Sequence, residues 1–594
     1  MSHRMHPDDV EKKNRGFLGY DSSALPPRDR QDRRQLRYEL DLNSWNLRIW
    51  GVAASGFLTD SYNLFASNVI NTSITYVYFP DEKWPGLVIN LFTLLGSVCG
   101  QLLFGYLADR YGRTRLYGIE LVLVIVSTIG VATSSVGYND MSFLALFSWW
   151  RFVMGIGIGA EYPLSAVITS EWSSTSSRAT MLSSVFLMQP VGQALAQLVG
   201  VWVVLGRNNQ YHLQAMQCGI NTLYEEKCKE IVDGIWRIVI GSGCVPAVLA
   251  IIFRFFLYDC GLYSLEVKQK PGTAFRDTQR VYGPPPAGLS ESPYSPSLSR
   301  EPFQFVPVQY SRENLYNYFI KDGNWHYLLG GNSTIPIWAE TSFPAWQTDY
   351  TQPCYTVYDT LLEQGKQYLL TVSIASIAGS ACCTFFINRL HRRHFLTASF
   401  LLLMVLFLIT GGVYYGVAHT SAAPVTVVCV AICHFFFNFG ANSLTFIIPA
   451  EIFPTTYRCT CHGISAAAGK IGSMVAIVVV YGINSGYKSS TRQGLEFLLF
   501  SFFMLLGAVY SWSYLPNLQR WVIPSDDAGK PRLETKNLED LGEGRERARR
   551  DGEVVTVREK VEELKRRRRR REMPVYATDG ARTYAVRGQD IGMR

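Results

Sequence analysis

Apolar runs of about 20 residues, the length of helix that crosses a bilayer core, recur from Trp45 to Leu515. They constrain this chain more than any other feature. Runs near 46–75, 85–107, 116–135, 142–169, 179–205 and 235–258 form a first group. A second group lies near 325–346, 367–388, 395–417, 423–449, 461–484 and 493–515. Lipid offers backbone amides no water to bond, so runs of this length must be helices. The pattern predicts an all-α membrane protein with twelve transmembrane helices in two sets of six, and excludes a large soluble enzyme.

Polar stretches divide the chain further. Residues 1–44 read as an N-terminal tail, 45–259 as a six-helix bundle, 260–323 as a linker, 324–517 as a second bundle and 518–594 as a charged tail. The linker contains GPPPAGLSESPYSPSLSREP, whose Pro and Ser content argues against a packed core. The first tail lacks the apolar core of a signal peptide, so the first span is expected to direct insertion. Fifty-six Lys and Arg against 48 Asp and Glu give a net charge of +8. The basic residues gather beside the spans and in the last tail, a distribution that needs no nucleic acid to explain it. Arg110, Arg113 and Arg115 follow the second span and Arg389, Arg392 and Arg393 the eighth. Short basic loops stay in the cytosol. Both tails and the linker are therefore expected inside, and the loop with Cys218 and Cys228 outside, where an oxidising compartment lets them pair. The other cysteines in apolar runs read as packing residues, with no metal-like CxxC cluster among them. The basic run Lys565 to Arg571 suits either an anionic leaflet, at about 1 kcal/mol per residue, or a solvated tail, and carries no transport role.

An internal repeat supports the six-plus-six division. SEWSSTSSRAT begins at Ser170 and AEIFPTTYRCT at Ala450; Glu171 and Glu451 stand 280 positions apart (451 − 171), as do Arg178 and Arg458, and Arg113 and Arg393. Duplicated bundles with a substrate site between the halves near the midplane are a recurring transporter design.

Ionisable side chains at mid-bilayer cost about 2.5–3.5 kcal/mol on insertion scales. Asp60 in GFLTDSYNLF, Arg151 in WWRFVMG, Glu161 in GIGIGAEYPLS and Lys470 in ISAAAGKIGS are the clearest. Either they lock helices together as ion pairs or they serve an anion and proton site, since a carboxyl group in low dielectric holds its proton more readily. The run Gly155 to Gly159 reads first as a surface for close helix approach; it has neither the strand nor the GK[ST] of a phosphate-cradling loop. His434 reads as a packed core histidine. Asp109 and Arg113, four apart around Gly112 in GYLADRYGRTR, are suited to pair with the end of another helix and latch one conformation.

GYLADRYGRTR together with the duplication resembles the major facilitator superfamily. The segments RFVMGIGIGAEYPLSAVITSEW and FFFNFGANSLTFIIPAEIFPTTYRCTCHGISAAAGKIGS resemble, more narrowly, the fungal and plant inorganic phosphate:proton symporters. The pattern that sugar porters carry after the sixth span is not visible, which argues against a hexose carrier. The resemblance implies that Tyr162, Gln189 and Asn442 contact phosphate, that Lys470 lies beside the anion, and that Asp60 takes part in protonation. It matches Arg151 and Glu161 to an Arg and an acid on the fourth span, although the family usually has Asp where this chain has Glu161.

The seventh span departs from the family. Where relatives carry a Trp, an Asp and a Tyr, WHYLLGGNSTIPIWAETSFPAW has Ile335, Ala339 and Phe343. Glu340 stands one residue further, about 100° around a helix, and is 280 positions from Asp60 (340 − 60). Pro336 and Pro344 bend such a helix. Glu340 is expected either to replace the missing acid or to be an interfacial charge. The expectation is a secondary transporter, not an enzyme and with no cofactor, carrying inorganic phosphate with protons across the plasma membrane by alternating access. Two alternatives stay open. Loss of the Trp and Tyr would enlarge the site, and GAEYP in the fourth span resembles the related glycerophosphodiester carriers, which implies glycerophosphodiesters or another organic anion. The missing acid and long charged tail suit a nutrient receptor that binds without transporting.

Overall fold

The computed structural model describes most of residues 46–254, 271–282, 315–321, 356–417, 424–484 and 491–522, with short pieces at 263–264, 532–535, 556–568 and 575–586. Six long helices make the first half: α1 (Leu47–Tyr78), α2 (Trp84–Tyr111), α3 (Arg113–Ala132), α4 (Phe143–Trp172), α5 (Arg178–Tyr211) and α6 (Glu225–Arg254). A linker helix, α7 (Pro271–Tyr282), follows. The second half has α8 (Val357–Arg389), α9 (Arg392–Gly416), α10 (Val425–Ile452), α11 (Thr455–Ile483) and α12 (Gly494–Tyr514). Ten of these are long and apolar enough to cross a membrane. The 32-residue α1 is less apolar because Thr59, Asp60, Ser61, Asn63 and Ser67 are buried on its inward face. The seventh expected span, 325–346, lies outside the described residues, and Glu340 with it.

The bundle buries polar side chains beside its apolar core and turns apolar ones outward as well. On α2, Phe92, Leu95, Leu102 and Leu103 are exposed while Ser97 and Gln101 are buried. Lipid tails are as apolar as leucine, so close packing rather than the hydrophobic effect joins such helices. Glycine supplies it here, as the Gly155 to Gly159 run suggests. A β-carbon at Gly155 would collide with the carbonyl oxygen of Thr93, and one at Gly159 with that of Ser97. The halves meet in the same way, for a β-carbon at Gly105 of α2 would stand 2.8 Å from the Cys459 carbonyl oxygen of α11.

Two helices begin about ten residues before their apolar runs. The starts of α6 (Glu225) and α8 (Val357) are amphipathic, and their apolar sides form one cluster, Cys228, Ile231 and Ile235 with Val357, Tyr358 and Leu361. Cys218 and Cys228 are joined in a disulfide with Cα atoms 5.7 Å apart. The backbone N–H of Val357 donates to the Cys218 carbonyl oxygen at 3.0 Å, so the bridged loop meets the second half. This is called the outer end below, and the end with Asp109 the inner end.

The linker is more structured than its composition suggests. Tyr263, ahead of α7, and Ala274 of α7 are buried against Ala108, Trp172 and Cys459 at the inner end. In the last tail, β1 (Gln519–Val522) and β2 (Arg532–Thr535) form an antiparallel hairpin, as do β3 (Val575–Asp579) and β4 (Arg582–Val586). Gln519 accepts from the backbone N–H of Arg392, which ties the first hairpin to the α8–α9 turn.

Candidate functional site

At the centre, side chains from both halves converge. The Lys470 ammonium of α11 stands 5.2 Å from the centre of the Tyr162 ring of α4. Tyr162 packs at 4.9 Å on Phe57 of α1 and 6.3 Å from Phe446 of α10, and Phe186 of α5 lies 5.1 Å from Phe446. Four helices thus build an aromatic wall beside one cation. Gln189 and Asn442 are buried, on α5 and α10. Asn442 donates to Asn438 at 3.0 Å, and Asn438 to Ser376 of α8, also at 3.0 Å. The amide oxygen of Gln189 has no hydrogen-bond partner among the described residues. A cation beside an aromatic wall, with buried amides on the neighbouring helices α5 and α10, can hold an anion by charge-assisted hydrogen bonds.

A second cluster lies within the first half. Arg254 of α6 donates to Glu161 of α4 at 2.6 Å and also pairs with Glu120 of α3. Its guanidinium stacks 3.8 Å over the Tyr117 ring, and the Tyr117 hydroxyl donates to Glu161 at 3.1 Å. A β-carbon at Gly56 of α1 would collide with both Arg254 and Glu161, so α1 closes this cluster by presenting no side chain. Asp60 stands one turn further along α1, about 6 Å in rise. It is buried, and neither carboxylate oxygen has a hydrogen-bond partner among the described residues. Three carboxyl groups and one guanidinium share this interior; full ionisation would leave two uncompensated negative charges in low dielectric. The cluster is therefore suited to holding protons.

Arg151 sits elsewhere. Ten residues before Glu161, about 15 Å away along α4, it donates to the Asn63 carbonyl oxygen at 3.3 Å and approaches the Met154 sulfur at 3.4 Å. The partner of Glu161 is instead Arg254, which the sequence reading passed over together with Glu120 and Tyr117. The signal was present, since IIFRFFLY puts Arg254 inside an apolar run. His434 is buried on α10, as its surroundings suggested.

At the inner end, Gly112 adopts a φ of +106°, a left-handed turn that favours glycine, and lets α3 start directly after α2. Arg113 then reaches Asp109 at 3.2 Å and Glu171 at 3.1 Å, while Arg458 lies 3.8 Å from Glu171. Arg113 also donates to the Thr455 carbonyl oxygen at 2.6 Å and stacks 4.1 Å from the Tyr263 ring. Asp109 crosses to the second half. It accepts from the backbone N–H groups of Cys459 at 3.3 Å and Thr460 at 2.7 Å, and from the Thr460 hydroxyl at 2.7 Å. After a 3-10 turn at Thr455–Tyr457, the regular helix of α11 starts at Arg458, and the amides of its first turn have no partner within it, so a carboxylate from α2 caps a helix of the other bundle. The repeat is imperfect here. Glu451 pairs with Arg392, at 3.1 and 3.3 Å, whereas Arg393, the 280-residue counterpart of Arg113, approaches Trp512.

Comparison with known proteins gives this geometry a context. The model of the Major Facilitator Superfamily matches residues 61–477. The chain is 30% identical over 525 residues to a repressible high-affinity phosphate permease of Neurospora crassa, covering 84% of this chain and 90% of that protein. It is 31% identical to the inorganic phosphate transporter PHO84 of Saccharomyces cerevisiae, covering 79% and 82%. Among solved structures, the proton:xylose symporter XylE bound to 6-bromo-6-deoxy-D-glucose superposes with a TM-score of 0.59 at 15% identity, over 78% of this chain and 94% of that one, a likeness of fold alone. With its paired bundles, its cross-half carboxylate cap and these matches, the chain is an integral membrane protein of the Major Facilitator Superfamily, in the group that includes the fungal phosphate permeases.

Proposed function

We propose that this chain carries inorganic phosphate inward with protons across the plasma membrane. The observation that carries the reading is Lys470 of one half standing 5.2 Å from the Tyr162 ring of the other, with the bare amide oxygen of Gln189 on a helix beside them. Phosphate would bind between Tyr162, Gln189, Asn442 and Lys470, its charge offset by the ammonium. Protons would ride on Asp60 and Glu161, held near Arg254, with Glu340 as a further candidate. Asp109 and Arg113 would gate the inner face, and rocking of the halves would expose the site alternately. No covalent bond is made or broken in this cycle, so the activity is transport rather than catalysis. The Cys218–Cys228 disulfide supports an outward position for its loop and, with an even number of spans, cytosolic termini.

Uptake of labelled phosphate by purified protein in vesicles with an alkaline interior tests this. Uptake should collapse with a proton ionophore and in Asp60→Asn, while Lys470→Ala should raise the half-saturating concentration at least tenfold. Saturable binding with no gradient-driven flux, in vesicles containing folded protein, would refute transport and favour a receptor.

A further inference from the structure

Three buried glutamines stand four residues apart on α5, Gln189, Gln193 and Gln197, at 7%, 5% and 3% exposure. Four residues is slightly more than one helical turn, so they form a ladder on one face, about 12 Å long. The face opposite belongs to the other half. Gln193 donates to the Tyr368 hydroxyl of α8 at 2.6 Å. Further out, a β-carbon at Gly365 would stand 2.6 Å from Val201. These two contacts bracket Gln197 against the segment of α8 that contains Gln367. Directly after Tyr368, α8 takes one π-helical turn, Leu369–Ser373, a widening that often marks functional positions.

The ladder is under-bonded. Among the described residues, Gln189 Oε1, Gln197 Nε2, Gln367 Oε1 and Ser373 Oγ are buried without a hydrogen-bond partner, in a class of atoms that proteins normally satisfy. Every one of these groups is neutral: Gln189 and Gln197 offer an acceptor and a donor on the α5 ladder, and Gln367 and Ser373 add an acceptor and a hydroxyl on α8. A phosphate anion carries one or two hydroxyl donors near neutral pH, but all on one phosphorus, and is too compact to span the ladder. Alcohol hydroxyls both donate and accept, and match such a row. From this complementarity we infer that the Gln193–Gln197 ladder is a hydroxyl-recognising subsite on the outer side of the phosphate position, and that the carrier takes phosphomonoesters of small polyols. The inference rests on the phosphate reading in taking the Lys470–Tyr162 position as the place of the phosphoryl group and Gln189 as the inner end of the ladder.

Full-length protein in proteoliposomes tests it with two probes of equal carbon number, glycerol 3-phosphate and n-propyl phosphate, each competing against labelled phosphate and each supplied labelled. Glycerol 3-phosphate should compete at a concentration at least tenfold below that of propyl phosphate, because a site built for hydroxyls rejects analogues that lack them. Gln193→Leu, Gln197→Leu and Tyr368→Phe should each bring that ratio toward one, and a ratio is insensitive to the amount of folded protein. Equal potency of the two esters in the unmodified chain, or a ratio that survives both Leu variants, overturns the inference. Phosphate flux with a ratio of one leaves the phosphate reading standing alone. Flux of glycerol 3-phosphate without phosphate flux supports the subsite and refutes the phosphate reading.

Discussion

The cap that Asp109 places on α11 can be removed with one substitution, and the chain carries its own reporter. Asp109→Ala deletes two hydrogen bonds of 2.7 Å and one of 3.3 Å. Hydrogen bonds to a charged group contribute about 1.5–3 kcal/mol net. Counting only the two short ones at the low end gives about 3 kcal/mol, or roughly a 150-fold shift toward the inner-open form at about 1.4 kcal/mol per tenfold. Cys459 is fully buried beneath the cap with a free thiol. When opening is fast compared with modification, labelling tracks the open population. In inside-out vesicles, with Cys461→Ala to remove the neighbouring thiol, an impermeant maleimide should modify Cys459 about a hundredfold faster in Asp109→Ala. Asp109→Asn, which keeps one acceptor oxygen, should fall between. Rates within twofold of the parent, in protein of unchanged melting temperature, would refute the idea that this contact holds the inner face shut.

Two further outcomes follow from buried pairs and the outer loop. Arg254→Leu strands Glu120 and Glu161, and breaking such a pair costs about 3–5 kcal/mol; the variant should lose most of its monodisperse yield in detergent, with partial recovery in Arg254→Lys, as read by size-exclusion chromatography. Reducing the Cys218–Cys228 bond, which joins residues ten positions apart, should destabilise the outer end by about 2–4 kcal/mol. A dithiothreitol-dependent drop in melting temperature should therefore appear in the parent and be absent from the Cys218→Ser, Cys228→Ser double variant.

The spans were legible because an apolar run of fixed length is the bilayer's own demand on sequence. Their extensions were not: the first turns of α6 and α8 are as charged as loops, and only the packing of Ile231 against Val357 and Leu361 reveals them as helix. Asp60, Glu161 and Lys470 stood out as charges in apolar surroundings, and each proves buried. Arg254 met the same criterion yet was obscured by its closeness to the end of a span, where basic residues are ordinary. Glu120 was hidden likewise, beside the turn that follows Arg115. The repeat located Glu171 and Glu451 correctly as counterparts but could not register the slip from Arg393 to Arg392, since displacement counts residues and not the pitch of a turn. The glutamine ladder was invisible because neutral polar residues on a helix acquire meaning only from what faces them.

The helix cap at the inner end also has a meaning in terms of water. When the halves separate there, the amides of Cys459 and Thr460 and the carboxylate of Asp109 lose one another, and solvent is the partner that replaces them. Opening the inner face thus takes up water as a stoichiometric participant, and the activity of water becomes a thermodynamic variable of the transport cycle. Osmolytes excluded from the cleft at the inner end should hold the carrier closed there, coupling its turnover to the osmotic state of the compartment on that side.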